Sequence, residues 1–586
     1  MVLPSRLVAH RHRILLALAL TAGSLLPALV AALSGNLSIP HNDAWSYSRI
    51  ARTFAETGHI ELLDWNRSAL IGQFIPLGPL ASSLVVQQLY VAALALMMLL
   101  AAYDLLRPLL GRDRAAFAVL VLSIWPGLGL LSTSFMLDVP ALAATLGSLA
   151  LARRAWTRGS FPLLALAMLV AFWGLTIRAQ SLAAPAAMGL VLIVEYWRER
   201  KAGRPHRFRM VPVIALYGVF AATGLAFTLW MGSLPNNDAP VINLPPHMLH
   251  LVEKISVETY FLLALALAPA VILAARPRSW GWASWAAAAV VAVVGALKLH
   301  HFNPATVFTP GNYLSPNGPY SGVSVFDYER VVFSHSTWHL ILVASWLSGI
   351  LMAGVLVHNW RRLDLWNGSF LVIALLGNAA TPLTGQSIFD RYWIAVVPGL
   401  LGLILARPAA VPSPEPVPAE SVSAESVSVP TELVSTESVP AAAPAKSTDF
   451  WLVPRRLAAC VALLVCAGLS FAVTANGFAF DAARWRTGNQ FVAAGVPARH
   501  IDAGLEWVGY HSVDGVGARY DISGMVRDPS EMFPSSTSCY VASPGRAERT
   551  GWVLQEVVTY QTFLVIGRSK LYVYFTGLPG CGTAIY

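Results

Sequence analysis

The chain has 586 residues, of which 56% are hydrophobic and only 12% charged, and its mean hydropathy is +0.58. Soluble domains carry roughly 25% charged residues, so a string of soluble domains is excluded. The net charge of +9 would suit a nucleic-acid binder, and the placement of the basic residues decides against that reading.

Apolar stretches recur near 14–34, 81–103, 116–131, 138–152, 161–176, 180–196, 211–231, 259–275, 281–298, 337–358, 367–380, 391–406 and 457–475. Stretches of about 20 residues match a hydrocarbon core of roughly 30 Å. Backbone groups in lipid must satisfy one another, so these spans are expected to be helices, about thirteen in all. With the N-terminus inside, 23 of the 40 Lys and Arg fall in inside segments and 8 in outside loops before the last span. The other nine follow residue 475. Every inside loop is basic, as the positive-inside rule requires, so the basic balance reports topology and no nucleic-acid partner is expected. The first span has no clear small-residue cleavage site and reads as a retained helix.

The first outside loop, 35–80, contains DAWSYSRIARTFAETG, with Trp45, Ile50, Ala51, Phe54 and Ala55 at helical spacing and Gly58 as a stop. It predicts an amphipathic helix along the membrane surface. Residues 408–449 are rich in Pro, Ser, Val, Ala and Glu and read as a disordered cytoplasmic linker. Beyond 475, WVLQEVVTYQTFLVIG and KLYVYFTG alternate as strands do, which predicts a small α/β domain outside the membrane. The expected units are a transmembrane core at 1–407, a linker at 408–455, a last span at 456–475 and an extracytoplasmic domain at 476–586. Cys460 and Cys466 fall in the last span as packing residues, whereas Cys539 and Cys581 lie in the outside tail, where a disulfide is the preferred reading.

Two carboxylates sit at outer helix ends. Asp43 precedes the amphipathic helix and Asp138 opens the fourth span in SFMLDVPAL. Helix capping explains either one locally; the alternative is that both flank one cavity. The segments HNDAWSYSRIARTFAETGHIEL, FMLDVPALAATLGSLALARRA, TIRAQSLAAP, GNYLSPNG and FDRYWIAVVP, in that order over about 40–400, carry a resemblance. They resemble the lipid-phosphate-dependent C-type (GT-C) glycosyltransferases. Within these the likeness is to the protein O-mannosyltransferase-like branch (glycosyltransferase family 39-like), which also includes bacterial aminoarabinose transferases.

That resemblance implies an all-α polytopic membrane bundle with a small α/β extracytoplasmic domain. It also implies transfer of a sugar from a polyprenyl-phosphate donor to a lipid, glycan or protein acceptor, with inversion, at a bacterial cell membrane. Asp43 would match the family's catalytic base, and Asp138 its second acidic position, near the acceptor or, in some relatives, a metal. The family's first loop often carries two adjacent acids; here Asn42 and Ala44 flank Asp43, which leaves the acceptor class open.

Such chemistry needs a base near the acceptor hydroxyl and a cation near the departing phosphate. Arg391 and Arg178 are the phosphate candidates, with Lys298 and His300 behind them. Interfacial snorkelling is the ordinary account of each arginine. Asp390 is as well explained by an ion pair with its neighbour Arg391. Tyr47 and Tyr313, with Trp45, Tyr392 and Trp393, could line a sugar or lipid groove, or form an ordinary interfacial belt. No trusted metal-ligand spacing appears among the histidines. His300 and His301 could add one ligand beside a carboxylate, so a divalent metal stays open. Two other functions remain: a transporter or flippase of lipid-linked sugars, and a non-catalytic cell-envelope assembly protein. No related halves are visible and the acids lie at helix ends, whereas transporters place charge at mid-membrane.

Overall fold

A computed structural model of the chain describes residues 10–63, 69–235, 248–300, 313–316, 318–319, 332–381, 388–406, 452–513, 533, 535–546, 550–564 and 567–582. Residues 408–451 of the expected linker lie outside these residues, as do parts of the GNYLSPNG segment; the linker's last four residues open a helix.

The chain is a multi-pass helical bundle with a small sheet near its C-terminus. Helix α1 covers Arg11–Leu33, with a π-helical turn at Thr21–Leu25. The loop after α1 carries α2, Ala44–Thr57. There follow α3 (Leu84–Leu110), α4 (Arg112–Ser123), α5 (Asp138–Arg158), α6 (Phe161–Ile177), α7 (Ala183–Lys201) and α8 (Met210–Gly232). The second half has α9 (Met248–Ala266), α10 (Ala268–Ala274), α11 (Trp282–His300), α12 (His335–Asn359), α13 (Leu365–Ala380) and α14 (Val397–Leu405). Among the described residues seven helices are long and apolar enough to cross a membrane, or eight if the pair α9–α10, bent by 72°, is one span. Helices α6 and α13 are shorter apolar helices.

Local chemistry explains where the expected spans break. The stretch near 116–131 stops at Ile124 and resumes at Leu128–Leu131, because Pro126 and Gly127 (φ +87°) intervene. Gly127 is also required sterically, since a Cβ there would lie 2.3 Å from the Tyr313 ring. The span near 259–275 bends where Pro269 removes a backbone donor. The stretch from 391 begins as a 3₁₀ turn, Asp390–Val396, and becomes α-helical at Val397 with Pro398 in its first turn.

The largest departure is at the end of the chain. Helix α15, Leu452–Ala493, runs 42 residues without a break. At 1.5 Å per residue it is about 63 Å long, roughly twice a hydrocarbon core. Its apolar window gives way to Asp481, Arg484 and Arg486, so sequence hydropathy ends the span near 475 while the helix carries on. The continuing part becomes the core of the C-terminal unit, where Trp485 and Phe491 pack with Trp507 and Tyr540. That unit adds α16 (Leu505–His511) and strands β1 (Ile501–Asp502), β2 (Tyr540–Ser543), β3 (Val553–Thr562) and β4 (Gly567–Phe575). The sheet order is β1-β2-β4-β3. The β1–β2 pair is parallel and the other pairs antiparallel, with Tyr540 opposite Phe575 and a bulge in β3 between Leu554 and Glu556. Cys539, just before β2, is bonded to Cys581, just after β4, with their Cα atoms 5.3 Å apart. This ties the entry to β2 to the exit from β4, beside the central strand pair of the sheet. Cys466 is buried in α15 while Cys460 is exposed there.

Helix α2 differs from a simple surface helix. Its first half is buried on both sides, with Trp45 fully enclosed, because α16 packs over it. Trp45 meets Phe533 edge-on at 5.6 Å, and a Cβ on Gly509 would lie 2.6 Å from the Trp45 ring. Gly509→Ala is therefore expected to loosen this docking at a cost of about 1–3 kcal/mol. Thermal unfolding followed by tryptophan fluorescence measures it, and an unchanged midpoint would show that the contact carries no stability.

Candidate active site

The sequence spreads Asp43, Asp138, Arg178 and Arg391 over 348 positions, and the fold joins them in one chain of ion pairs. Arg391 donates from Nη2 to Asp43 Oδ2 at 2.9 Å. Its Nε lies 3.9 Å from Asp138 Oδ2. Asp138 in turn accepts from Nη1 of Arg178. The order is Asp43–Arg391–Asp138–Arg178, two carboxylates alternating with two guanidinium groups.

Local structure aims each member. Asp43 precedes α2 but makes no side-chain cap bond to it, so the capping account does not describe where its carboxylate goes. Asn42, immediately before it, holds a left-handed backbone (φ +56°) that asparagine tolerates better than most residues. The turn is pinned from outside: Ser134 Oγ donates to the His41 carbonyl at 3.0 Å. Ser134 stands four positions before Asp138, so one hydrogen bond ties the two acid-bearing segments together. Asp138 lies in the first turn of α5, where its charge suits the helix dipole while its oxygens reach the arginines. Arg178 ends α6 in an extended conformation (φ −154°, ψ 135°), which turns the side chain off the helix axis before a 3₁₀ turn, Ala179–Leu182. Its Nε donates to Gln180 Oε1 at 2.9 Å.

Both arginines also lie over one aromatic ring. Arg178 stands 4.4 Å and Arg391 5.3 Å from the Tyr392 centroid, a cation–π arrangement that holds two like charges close together. Asp390 points away from this cluster. Its Oδ2 accepts the backbone N–H groups of Tyr313 and Leu314 at 2.8 and 2.9 Å. Its role is to clamp the 313–316 segment onto the Arg391 turn, and Tyr313, fully buried, packs against Gly127. Tyr47 is buried beside the cluster; burial first, then the charge of Asp43, hold its hydroxyl well above the ordinary range. It therefore stays protonated.

Lys298 is not part of this arrangement. It sits on α11 and pairs with Glu253 of α9 at 3.0 Å, both side chains being about half exposed. Both helices pack against α12. The His300 side chain lies outside the described residues. Among the described residues no three His, Cys, Asp or Glu side chains gather as a metal site. The two acids of the cluster already face guanidinium groups.

Beside the cluster lies a cavity of about 270 Å³. Asp138, Arg178 and Arg391 line it, with Gln180 and Asn378, and the remainder is mostly apolar, including Leu142 and Phe370. Asp43 does not line the cavity; it reaches it through Arg391. Its side chain is the most exposed of the Asp43–Arg391–Asp138 set, at 20% against 5% and 4%.

One group escaped sequence reasoning. His41 Nδ1 meets Asp481 Oδ2 at 2.6 Å, both side chains fully buried. Asp481 accepts from Arg484 at 2.5 Å, and Arg484 also pairs with Glu506. This second ionic chain joins the Asp43 turn to α15 and α16. Its signal was an Asp and an Arg three apart beyond an apolar span, which by itself is an ordinary surface pair.

No family model matches the sequence, and no curated protein matches it. Among solved structures the chain is similar to the crystal structure of ArnT from Cupriavidus metallidurans bound to undecaprenyl phosphate. Identity is 14% and the TM-score 0.39, over 96% of this chain and 98% of that one. The cluster's own chemistry, and not this likeness, decides what the cavity can hold.

The docking of α16 on α2 has a pH dependence of its own. Burial first, then Arg52 and Arg49, push the His511 imidazole down to about 4. An unfolded histidine titrates near 6.5. Between these values the unfolded chain binds the extra proton, so stability is full above about pH 6.5 and falls as pH drops toward 4. The expected slope is up to about 1.4 kcal/mol per pH unit. Thermal unfolding at pH 7 and pH 5 should show it, with a shallower slope in His511→Gln; equal slopes in both proteins would remove His511 as the cause.

Proposed function

We propose that this chain is an integral-membrane glycosyltransferase of GT-C type that moves a sugar from a polyprenyl-phosphate donor to an extracytoplasmic acceptor. The observation that carries it is the alternating chain of two carboxylates and two arginines beside a largely apolar cavity. An isoprenoid chain suits apolar walls, and a phosphate suits planar guanidinium forks that donate two hydrogen bonds at once.

In the free protein each guanidinium is neutralised by a carboxylate. A donor phosphate would compete for Arg178 and Arg391, and the exchange frees Asp43 from its pairing with Arg391. Asp43 then takes the proton of the acceptor hydroxyl as that oxygen attacks the anomeric carbon. The new carbon–oxygen bond forms as the carbon–oxygen bond to phosphate breaks, and the electron pair leaves on the phosphate oxygen, held by the two arginines. One in-line displacement inverts the anomeric configuration. Asp138 keeps the two cations oriented, and Tyr47 remains a hydroxyl donor beside them.

Transfer from a panel of radiolabelled polyprenyl-phosphate sugars by the purified protein in lipid tests this. Label moving to an acceptor supports the enzyme. Donor binding or flipping without transfer would favour a transporter, and no interaction with any donor a non-catalytic envelope protein.

A further inference from the structure

The bundle has a second cavity, of about 230 Å³, at the opposite end of the same helices. Arg114 from the start of α4, Arg276 from the turn after α10, and His358 and Arg362 from the end of α12 line it. Among the described residues, no carboxylate does. From this convergence we infer that the cavity binds a phosphate-bearing headgroup of an anionic phospholipid.

Its depth in the membrane fits. The turn Asp390–Val396 and helix α14 lead from Arg391 at the candidate active site to Leu405 at this cavity. Seven 3₁₀ and nine α-helical residues rise roughly 27 Å, close to a hydrocarbon thickness. Tryptophans mark the same level: Trp282 and Trp360 are 85% and 63% exposed, as side chains of the headgroup belt are.

Capping of α14 is the plain alternative account of the cations, and it covers only part of them. Asn359 Nδ2 donates to the carbonyls of Leu403 and Ile404 at 3.1 and 3.0 Å, and Arg114 Nη1 to that of Leu405 at 2.8 Å. Arg362 does not cap. It is held by Asn359 Oδ1 at 2.7 Å, with its Nη2 3.3 Å from His358 Nε2. That tether fixes a guanidinium at the cavity wall, where a freely snorkelling arginine would extend to water. A guanidinium has five donors, so the Arg362 fork retains N–H groups for phosphate oxygens after these bonds are made. An anion relieves the repulsion among three converging arginines.

Binding of radiolabelled phosphatidylglycerol to the full-length protein in phosphatidylcholine nanodiscs tests the site. Near a membrane surface each basic residue is worth about five-fold in affinity for anionic lipid. Arg276→Gln should weaken retention about five-fold and Arg276→Gln with Arg362→Gln about 25-fold. Arg276 is exposed, so the single variant reads out even if the double one fails to fold. Arg361→Gln removes the same charge from an exposed arginine stacked on Trp360 that does not line the cavity, and should leave retention unchanged. Inorganic phosphate separates the sources. Lipid retained against 50 mM phosphate supports a membrane headgroup; competition at low millimolar concentration with arginine-dependent phosphate binding supports the same site filled from solution. Equal losses in Arg361→Gln and Arg276→Gln, or no preference for phosphatidylglycerol in the wild type, would overturn the assignment.

Discussion

Asp43→Asn is expected to lower sugar transfer by about 10²–10⁴-fold, the range that a positioned general base supplies. Asp43 makes no side-chain cap bond to α2, and asparagine is as good as aspartate at that position, so α2 should still form. The amide oxygen can still accept from Arg391, so the fold should lose only about 1 kcal/mol, the worth of one charge-assisted hydrogen bond over a neutral one. The two effects are thus separable: turnover in lipid collapses while the unfolding midpoint moves by a few degrees at most. Wild-type turnover in the purified variant would remove Asp43 as the base. A large fall in midpoint with a proportionate fall in activity would make it a structural ion-pair partner instead.

Arg391→Ala should act on both stability and donor binding. Arg391 faces Asp43 and Asp138, and its side chain is 5% exposed. Deleting one partner of a buried pair costs about 3–5 kcal/mol, because the remaining charge is left uncompensated. Here Arg178 still neutralises Asp138, so the lower end is expected. Combining it with Asp43→Asn removes the stranded carboxylate and should restore part of the stability, but not donor affinity. Binding of labelled polyprenyl phosphate to the single and double variants gives the second readout. Unchanged affinity in both would take Arg391 out of the donor site. Arg391→Lys keeps the charge but loses the planar fork, so it should recover stability more fully than affinity.

The helical character of this chain and most of its span positions are written in apolar runs, which lipid enforces because the backbone has no other hydrogen-bonding partner. Proline and glycine at Pro126, Gly127 and Pro269 then set the breaks within those runs. The amphipathic stretch after Asp43 was equally legible, down to its stop at Gly58. Where it lies was not, because burial of its first half depends on α16, more than 400 residues away. The reach of α15 to Ala493 was hidden for a related reason: charged residues end a hydropathy window but not a helix whose charges are paired.

For the candidate site, the sequence by itself determined the residue types and their place at helix ends, since charge is costly in lipid anywhere else. Tertiary structure alone decided their partners. Asp43 and Asp138 were each explicable as caps, Arg178 and Arg391 each as snorkelling residues, and Asp390 as the neighbour of Arg391. Packing brought the first four into one chain of charges and turned Asp390 toward the backbone of Tyr313 and Leu314. Lys298, equally plausible by type and position, went to Glu253 on the exposed face of α9 and α11. A charge is a local property that the sequence states outright, whereas its counter-charge is chosen by distances that exist only once the helices are packed.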